Sequence, residues 1–118
     1  MLNVTPVYDA VVAGAGPAGT ATARDIAARG FRVLLLEEHR LIGEPNHCSG
    51  LVTPRTLTLA GTDESIVLNR IRGATIRTAS GRTNTLGGQE TYALTIDRIA
   101  FDRELANQAL EAGSELLT

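Results

Sequence analysis

Three glycines carry the first chemistry in this chain. Gly14-Ala15-Gly16-Pro17-Ala18-Gly19 spells G-x-G-x-x-G. In such a turn the first glycine lets the backbone reverse tightly. The second lets it approach a diphosphate with no side chain between, and the third lets a helix pack closely on a strand. Pro17 at a helix start costs little, because its missing N–H would have no intrahelical partner anyway. The free N–H groups and positive dipole end of that helix then meet two negative charges. Glu37 stands 18 positions after Gly19, close to the roughly 20-residue offset of an acid that accepts hydrogen bonds from an adenosine ribose. A carboxylate there repels a 2′-phosphate. Glu38 is the rival acid, and strand register decides between them. The plain alternative is a tight turn with a solvated acid, but strand, helix and acid in succession favour a dinucleotide.

Fewer residues elsewhere could do chemistry. Cys48 is the sole cysteine, so no internal disulfide or structural zinc site can form, and a reducing, cytoplasmic setting follows. With no Lys or Arg beside it to lower its pKa, Cys48 reads as a small buried hydrophobe rather than a reactive thiol. His39, His47 and Cys48 put three nitrogen or sulfur donors on one irregular loop with no second pair elsewhere, so no metal site is expected. Arg98 falls in a first helical turn, unfavourably against the dipole, which favours an anionic partner; a solvated arginine is the plain alternative.

These residues need elements to hold them. Residues 7–13 read as a strand buried on both faces, and 32–36 as a second. Between them a helix over 17–29 turns Ala18, Ala21, Thr22, Ile26 and Ala28 inward, points Arg24 and Asp25 outward, and stops at Gly30. Strand, helix and strand make one βαβ unit with a right-handed crossover. Residues 37–53 read as a loop, and Pro54 opens a short helix that ends at Gly61. Residues 71–78 and 82–86 flank Ala79-Ser80-Gly81 as an antiparallel hairpin, with a third strand over 92–96. A helix over 101–112, capped by Asp97 and stopped by Gly113, places Phe101, Leu105, Ala109 and Ala112 on one face and Asp102, Arg103 and Glu111 elsewhere. Residues 115–118 open another parallel strand, which suggests a piece of a longer protein.

The expected class is therefore α/β: a Rossmann-like βαβ unit with a core over 7–37 and 98–118, a small antiparallel β insertion over 38–97, and an incomplete domain. A nicotinamide-type domain would run from its second strand into another helix–strand unit. Here 60 positions separate Glu37 from Asp97, and that favours FAD.

Composition excludes other classes. The chain has 118 residues, 43% hydrophobic and 20% charged, with a net charge of −2, which fits one ordinary domain and neither a disordered tail nor a basic nucleic-acid arm. All 11 basic residues are arginine and are scattered. Aromatic residues make up 3% with no tryptophan, so base-stacking platforms are not expected. No apolar run approaches the roughly 18 residues of a membrane span, so a soluble protein is expected.

Residues 8–19, Val33-Leu34-Leu35-Leu36-Glu37, residues 45–52 with their P-x-x-C-x-G pattern, and residues 97–105 together resemble the geranylgeranyl reductase family. These are FAD-dependent enzymes of the para-hydroxybenzoate-hydroxylase-like fold. The resemblance covers the N-terminal part of that fold, and P-x-x-C-x-G is its discriminating motif. It implies hydride transfer from reduced flavin to isoprenoid double bonds, a lipid substrate, an electron donor such as NAD(P)H or a ferredoxin-like protein, and a peripheral place at a membrane. Gly14, Gly16, Pro17, Ala18, Gly19 and Glu37 would bind the ADP half of FAD. His47, Cys48, Gly50 and Arg98 would approach the flavin side, with no catalytic role assigned and Cys48 as the flavin-proximal candidate. His47 stands where the family has a basic residue. An aromatic-ring monooxygenase or halogenase of the same fold, and a non-catalytic nucleotide-binding module, are the alternatives. Alone, a chain of this extent is expected to be inactive and to hold FAD weakly or not at all.

Overall fold

The computed structural model describes residues 6–118. Its elements run β1 (Ala10–Ala13), α1 (Pro17–Ala27), β2 (Val33–Leu36), β3 (Leu51–Val52), α2 (Pro54–Ala60), a 3-10 turn (Glu64–Ile66), β4 (Val67–Ile71), β5 (Gly73–Arg77), β6 (Thr83–Gly87), β7 (Ala93–Ile96), α3 (Arg98–Glu111) and β8 (Glu115–Leu117). The chain divides into two compact units, one of residues up to Asn46 together with Ile99–Thr118, the other His47–Arg98. The loop over 38–46 thus belongs with the parallel sheet rather than with the insertion.

In the first unit β1, β2 and β8 form a parallel sheet in that order. Ala10 pairs with Val33, Ala13 with Leu36, and Leu34 with Glu115. The central strand is apolar throughout, and Val33 and Leu35 are fully buried. Alanines complete the core: Ala15, Ala23, Ala27 and Ala109 join those two residues in one cluster. Small side chains let the helices lie close to the sheet. The strand over 7–13 is shorter than expected and not buried on both faces, since Val11 and Ala13 are exposed. Among the described residues β1 pairs with β2 alone, which makes it an edge strand.

The face that α1 buries also departs from expectation. Thr20, Ala23 and Ala27 are buried, whereas Ala18, Thr22 and Ala28 are exposed. The buried set follows i, i+3 and i+7 from Thr20, whose hydroxyl donates to the carbonyls of Gly16 (2.9 Å) and Pro17 (3.2 Å) and so enters the core satisfied. Arg24 does not point outward into solvent; its guanidinium donates to Gln108 on α3 at 2.8 Å. On α3, Phe101, Leu105 and Ala109 are buried as expected, and so are Asp102 and Ala106. The loop through Gly43 explains Asp102, because a Cβ on Gly43 would lie 3.5 Å from that of Asp102. At the end of α3, Gly113 takes φ +108°; the N–H groups of Gly113 and Ser114 close onto Leu110 and Ala109, a glycine stop of the expected kind.

The second unit is the expected antiparallel element, arranged as two sheets. β3, β7 and β4 form one, and β5 with β6 the other. The strand over 92–96 therefore pairs with β3 and β4 instead of extending the hairpin. β3 lies outside the strands read from sequence, and β4 meets them only at Ile71, the first residue of the expected hairpin; β3 is two residues long and pairs with β7. Leu57 and Ala60 of α2 and Leu94 and Ile96 of β7 are buried, and Gly61 ends α2 in the left-handed region as expected.

Candidate dinucleotide-binding site

The glycine turn is built from β1 outward. Register puts Ala13 beside Leu36, and Gly14 N–H then donates to Leu36 O at 2.7 Å. Gly14 takes φ +99°, a conformation glycine adopts without penalty. Gly19 meets a different demand: a Cβ there would stand 1.8 Å from Gly14 O. Around Gly14 and Gly16 no heavy atom lies within 4 Å of a Cβ position, so the backbone is bare on the side a ligand would use. Helix α1 starts with Gly16 as N-cap and Pro17 next, with no side-chain cap and no acid in its first turn. That leaves its first N–H groups and positive end to an anion. A cleft of about 410 Å³, lined by Ala13, Gly14, Leu36, Glu37 and Glu38, opens beside the turn.

Glu37, rather than Glu38, reaches the turn. Its Oε2 accepts from Ala15 N–H at 2.8 Å. Its Oε1 accepts from the backbone N–H of His39 at 3.0 Å and from His39 Nδ1 at 2.7 Å. These bonds hold the carboxyl below its ordinary value of 4.5, the Ala15 N–H most strongly and the His39 N–H next, against the opposing effect of burial. A charged acceptor among N–H donors is the chemistry a ribose hydroxyl needs from its partner.

The first unit thus brings Gly14, Gly16, Pro17, Ala18, Gly19 and Glu37 together. Within the second unit, Gly50 is buried at φ +71°, where a Cβ would lie 2.4 Å from Ile96 O and 3.3 Å from Arg98 Cγ. Its carbonyl accepts from Ile96 N–H at 3.0 Å. Close backbone approach is therefore reason enough for this glycine. Arg98 opens α3 and is half-buried. His47 and Cys48 are exposed, which corrects the reading of Cys48 as a buried hydrophobe: the stretch before β3 has no element of its own to cover it.

Two participants escaped the sequence reading. Ala15 is a variable position of the glycine pattern, and only its N–H matters; the Ala13–Leu36 register places it opposite the residue that follows β2. His39 has E-x-H spacing from Glu37, which lets one side chain and one N–H grip the same oxygen. Glu37, Glu38 and His39 also bring ligand-capable atoms within 4.8 Å of one another, an arrangement the Glu37–His39 bond already accounts for. No described helix is long and apolar enough to cross a membrane.

The chain is similar to known proteins. Over 114 residues the chain is 35% identical to digeranylgeranylglycerophospholipid reductase 1 of Methanococcoides burtonii, covering 93% of this chain and 28% of that protein. A geranylgeranyl bacteriochlorophyll reductase-like protein from Thermoplasma acidophilum superposes with a TM-score of 0.83 at 30% identity, over 92% of this chain and 29% of the other. A myxobacterial chondrochloren halogenase reaches 0.70 at 28% identity, over 95% and 28%. The chain spans less than a third of the length of these relatives. A family pattern described as FAD dependent oxidoreductase matches residues 9–117. It runs from the residue before β1 through the last strand of the parallel sheet, so the chain belongs to the FAD-dependent oxidoreductase family, and its cofactor is FAD.

Proposed function

We propose that the protein carrying this chain reduces double bonds in isoprenoid chains of the geranylgeranyl type. The observation that supports this over a halogenase or hydroxylase is the difference in likeness. The reductase-like structure superposes at 0.83 and the halogenase at 0.70 over nearly the same residues.

In this reading the bare backbone at Gly14 and Gly16 and the first N–H groups of α1, at Ala18 and Gly19, hold the diphosphate, with Pro17 starting the helix. Glu37 holds the adenosine ribose. His47, Cys48, Gly50 and Arg98 serve the flavin side, a role that rests on the resemblance. Bound FAD would supply hydride transfer, which amino-acid side chains do not provide. The substrate is an apolar lipid, the donor NAD(P)H or a ferredoxin-like protein, and the protein works against a membrane surface.

The test is a product assay. The purified gene product is reduced with dithionite without oxygen and given a geranylgeranyl lipid. A mass gain of two hydrogens per reduced bond is expected. Oxygen-dependent hydroxylation or halogenation of a phenol, with no anaerobic alkene reduction, would assign it to the aromatic-ring enzymes of the same fold. A gene product without flavin absorption would make it a non-catalytic nucleotide-binding module.

A further inference from the structure

A carboxylate has about four acceptor sites on two oxygens. In Glu37 three are filled from within the chain. Oε1 takes the backbone N–H of His39 at 3.0 Å and its ring at 2.7 Å, and Oε2 takes Ala15 N–H at 2.8 Å. The remaining site lies on Oε2, the oxygen at the glycine turn. Glu37 is well covered, with 13% of its side chain exposed, while the His39 ring is 46% exposed. Since the carboxylate only accepts, the ring must carry its proton on Nδ1 to make the 2.7 Å bond.

We infer that His39 is a positioning residue for Glu37: its Nδ1–H and backbone N–H pin Oε1 together, and this keeps Oε2 at the glycine turn for one ribose hydroxyl of the dinucleotide. The inference rests on the reading of Glu37 as the ribose acceptor. Without the ring, a carboxylate held by one N–H per oxygen can rotate about its terminal torsion, which is soft. The affinity lost is that of a misplaced acceptor, with the fold intact.

The experiment uses the 118-residue chain, nitrogen-15 NMR, and ADP as the probe. In the wild type the His39 ring nitrogens report the Nδ1–H tautomer, and the Ala15 amide shift reports its bond to Glu37. Asparagine places an amide N–H near the position of Nδ1, and glutamine places one near Nε2. His39→Asn should therefore keep the Ala15 shift and the ADP affinity. His39→Gln and His39→Phe should each lose about tenfold in affinity, the worth of one hydrogen bond to a charged group. Three results would overturn the inference: an Nε2–H tautomer, His39→Phe binding ADP like the wild type, or equal rescue by Gln and Asn. Glu37→Gln separates the two levels. If it binds ADP normally, the ribose reading fails and takes the inference with it. If it loses affinity while His39→Phe does not, only the inference fails. The wild-type tautomer needs no variant to fold, so the question stays decidable.

Discussion

Gly16 and Gly19 are the same residue for opposite reasons. A methyl group on Gly19 would collide with the backbone oxygen of Gly14 at 1.8 Å, and neither a Cβ nor a backbone carbonyl can swing aside. Gly16 has open space above it and an ordinary φ of −72°. Gly19→Ala should therefore destabilise the fold by roughly 2–4 kcal/mol, read as a fall in the urea midpoint. Gly16→Ala should keep the wild-type midpoint yet bind ADP at least about tenfold more weakly, because its Cβ fills the approach to the diphosphate. Equal melting of the two variants would contradict this division of roles. Glu37 adds a dependence on pH. Its folded carboxyl titrates below 4.5, so its contribution is present above that value and is lost as the pH falls through the lower, folded value. The stability gap between wild type and Glu37→Gln should be full near neutrality and should close below pH 4.5, as followed by urea titrations at a series of pH values.

Among the elements, β2 carries the most weight in the first unit. It is the middle strand of the parallel sheet, and Leu35 is fully buried between α1, α3 and its neighbours. Leu35→Ala should cost about 2–5 kcal/mol, since the alanine-rich helix faces around it have little side chain with which to fill a cavity; thermal denaturation measures this. In the second unit the pairing of β3 with β7 depends on Gly50, where a side chain would press on Ile96 O. Gly50→Ala should speed hydrogen exchange at the Ile96 amide, whose acceptor is Gly50 O, by at least about tenfold. The hairpin of β5 and β6 is amphipathic by alternation. Ala74, Ile76, Asn84 and Leu86 share one face, and Thr75, Arg77, Thr83 and Thr85 the other. All ten of its residues are exposed.

At the scale of the whole chain, exposed apolar side chains stand beside a net charge of only −2. Leu51, Ile76, Leu86 and Tyr92 are each more than half exposed, and a cavity of about 670 Å³ with a predominantly apolar lining runs from Leu51 and Tyr92 to Leu86. The 118-residue chain should therefore self-associate as its concentration rises, more so in sulfate, and the double variant Ile76→Thr/Leu86→Thr should reduce this. Light scattering against concentration measures it; an unchanged second virial coefficient in the variant would exclude the hairpin as the sticky surface.

What the sequence determined by itself is what short-range chemistry can dictate. Glycines at fixed offsets imply a turn of one shape, Gly61 and Gly113 stop helices because the left-handed region suits them, and an acid 18 positions beyond the turn marks the tip of the next strand. The Ala79-Ser80-Gly81 turn between two short runs identified the hairpin for the same reason. Only the tertiary structure decided which acid faces the turn, because that depends on Ala13 pairing with Leu36 across the sheet. It likewise decided that Thr20 rather than Ala18 lies on the buried face of α1, that Asp102 is covered by the loop through Gly43, and that Leu51 and Val52 form a strand once β7 is beside them. It brought Ala15 to Glu37 and left Cys48 exposed. Each of these turns on which side of an element another segment covers, and periodicity along one strand or helix carries no record of its neighbours.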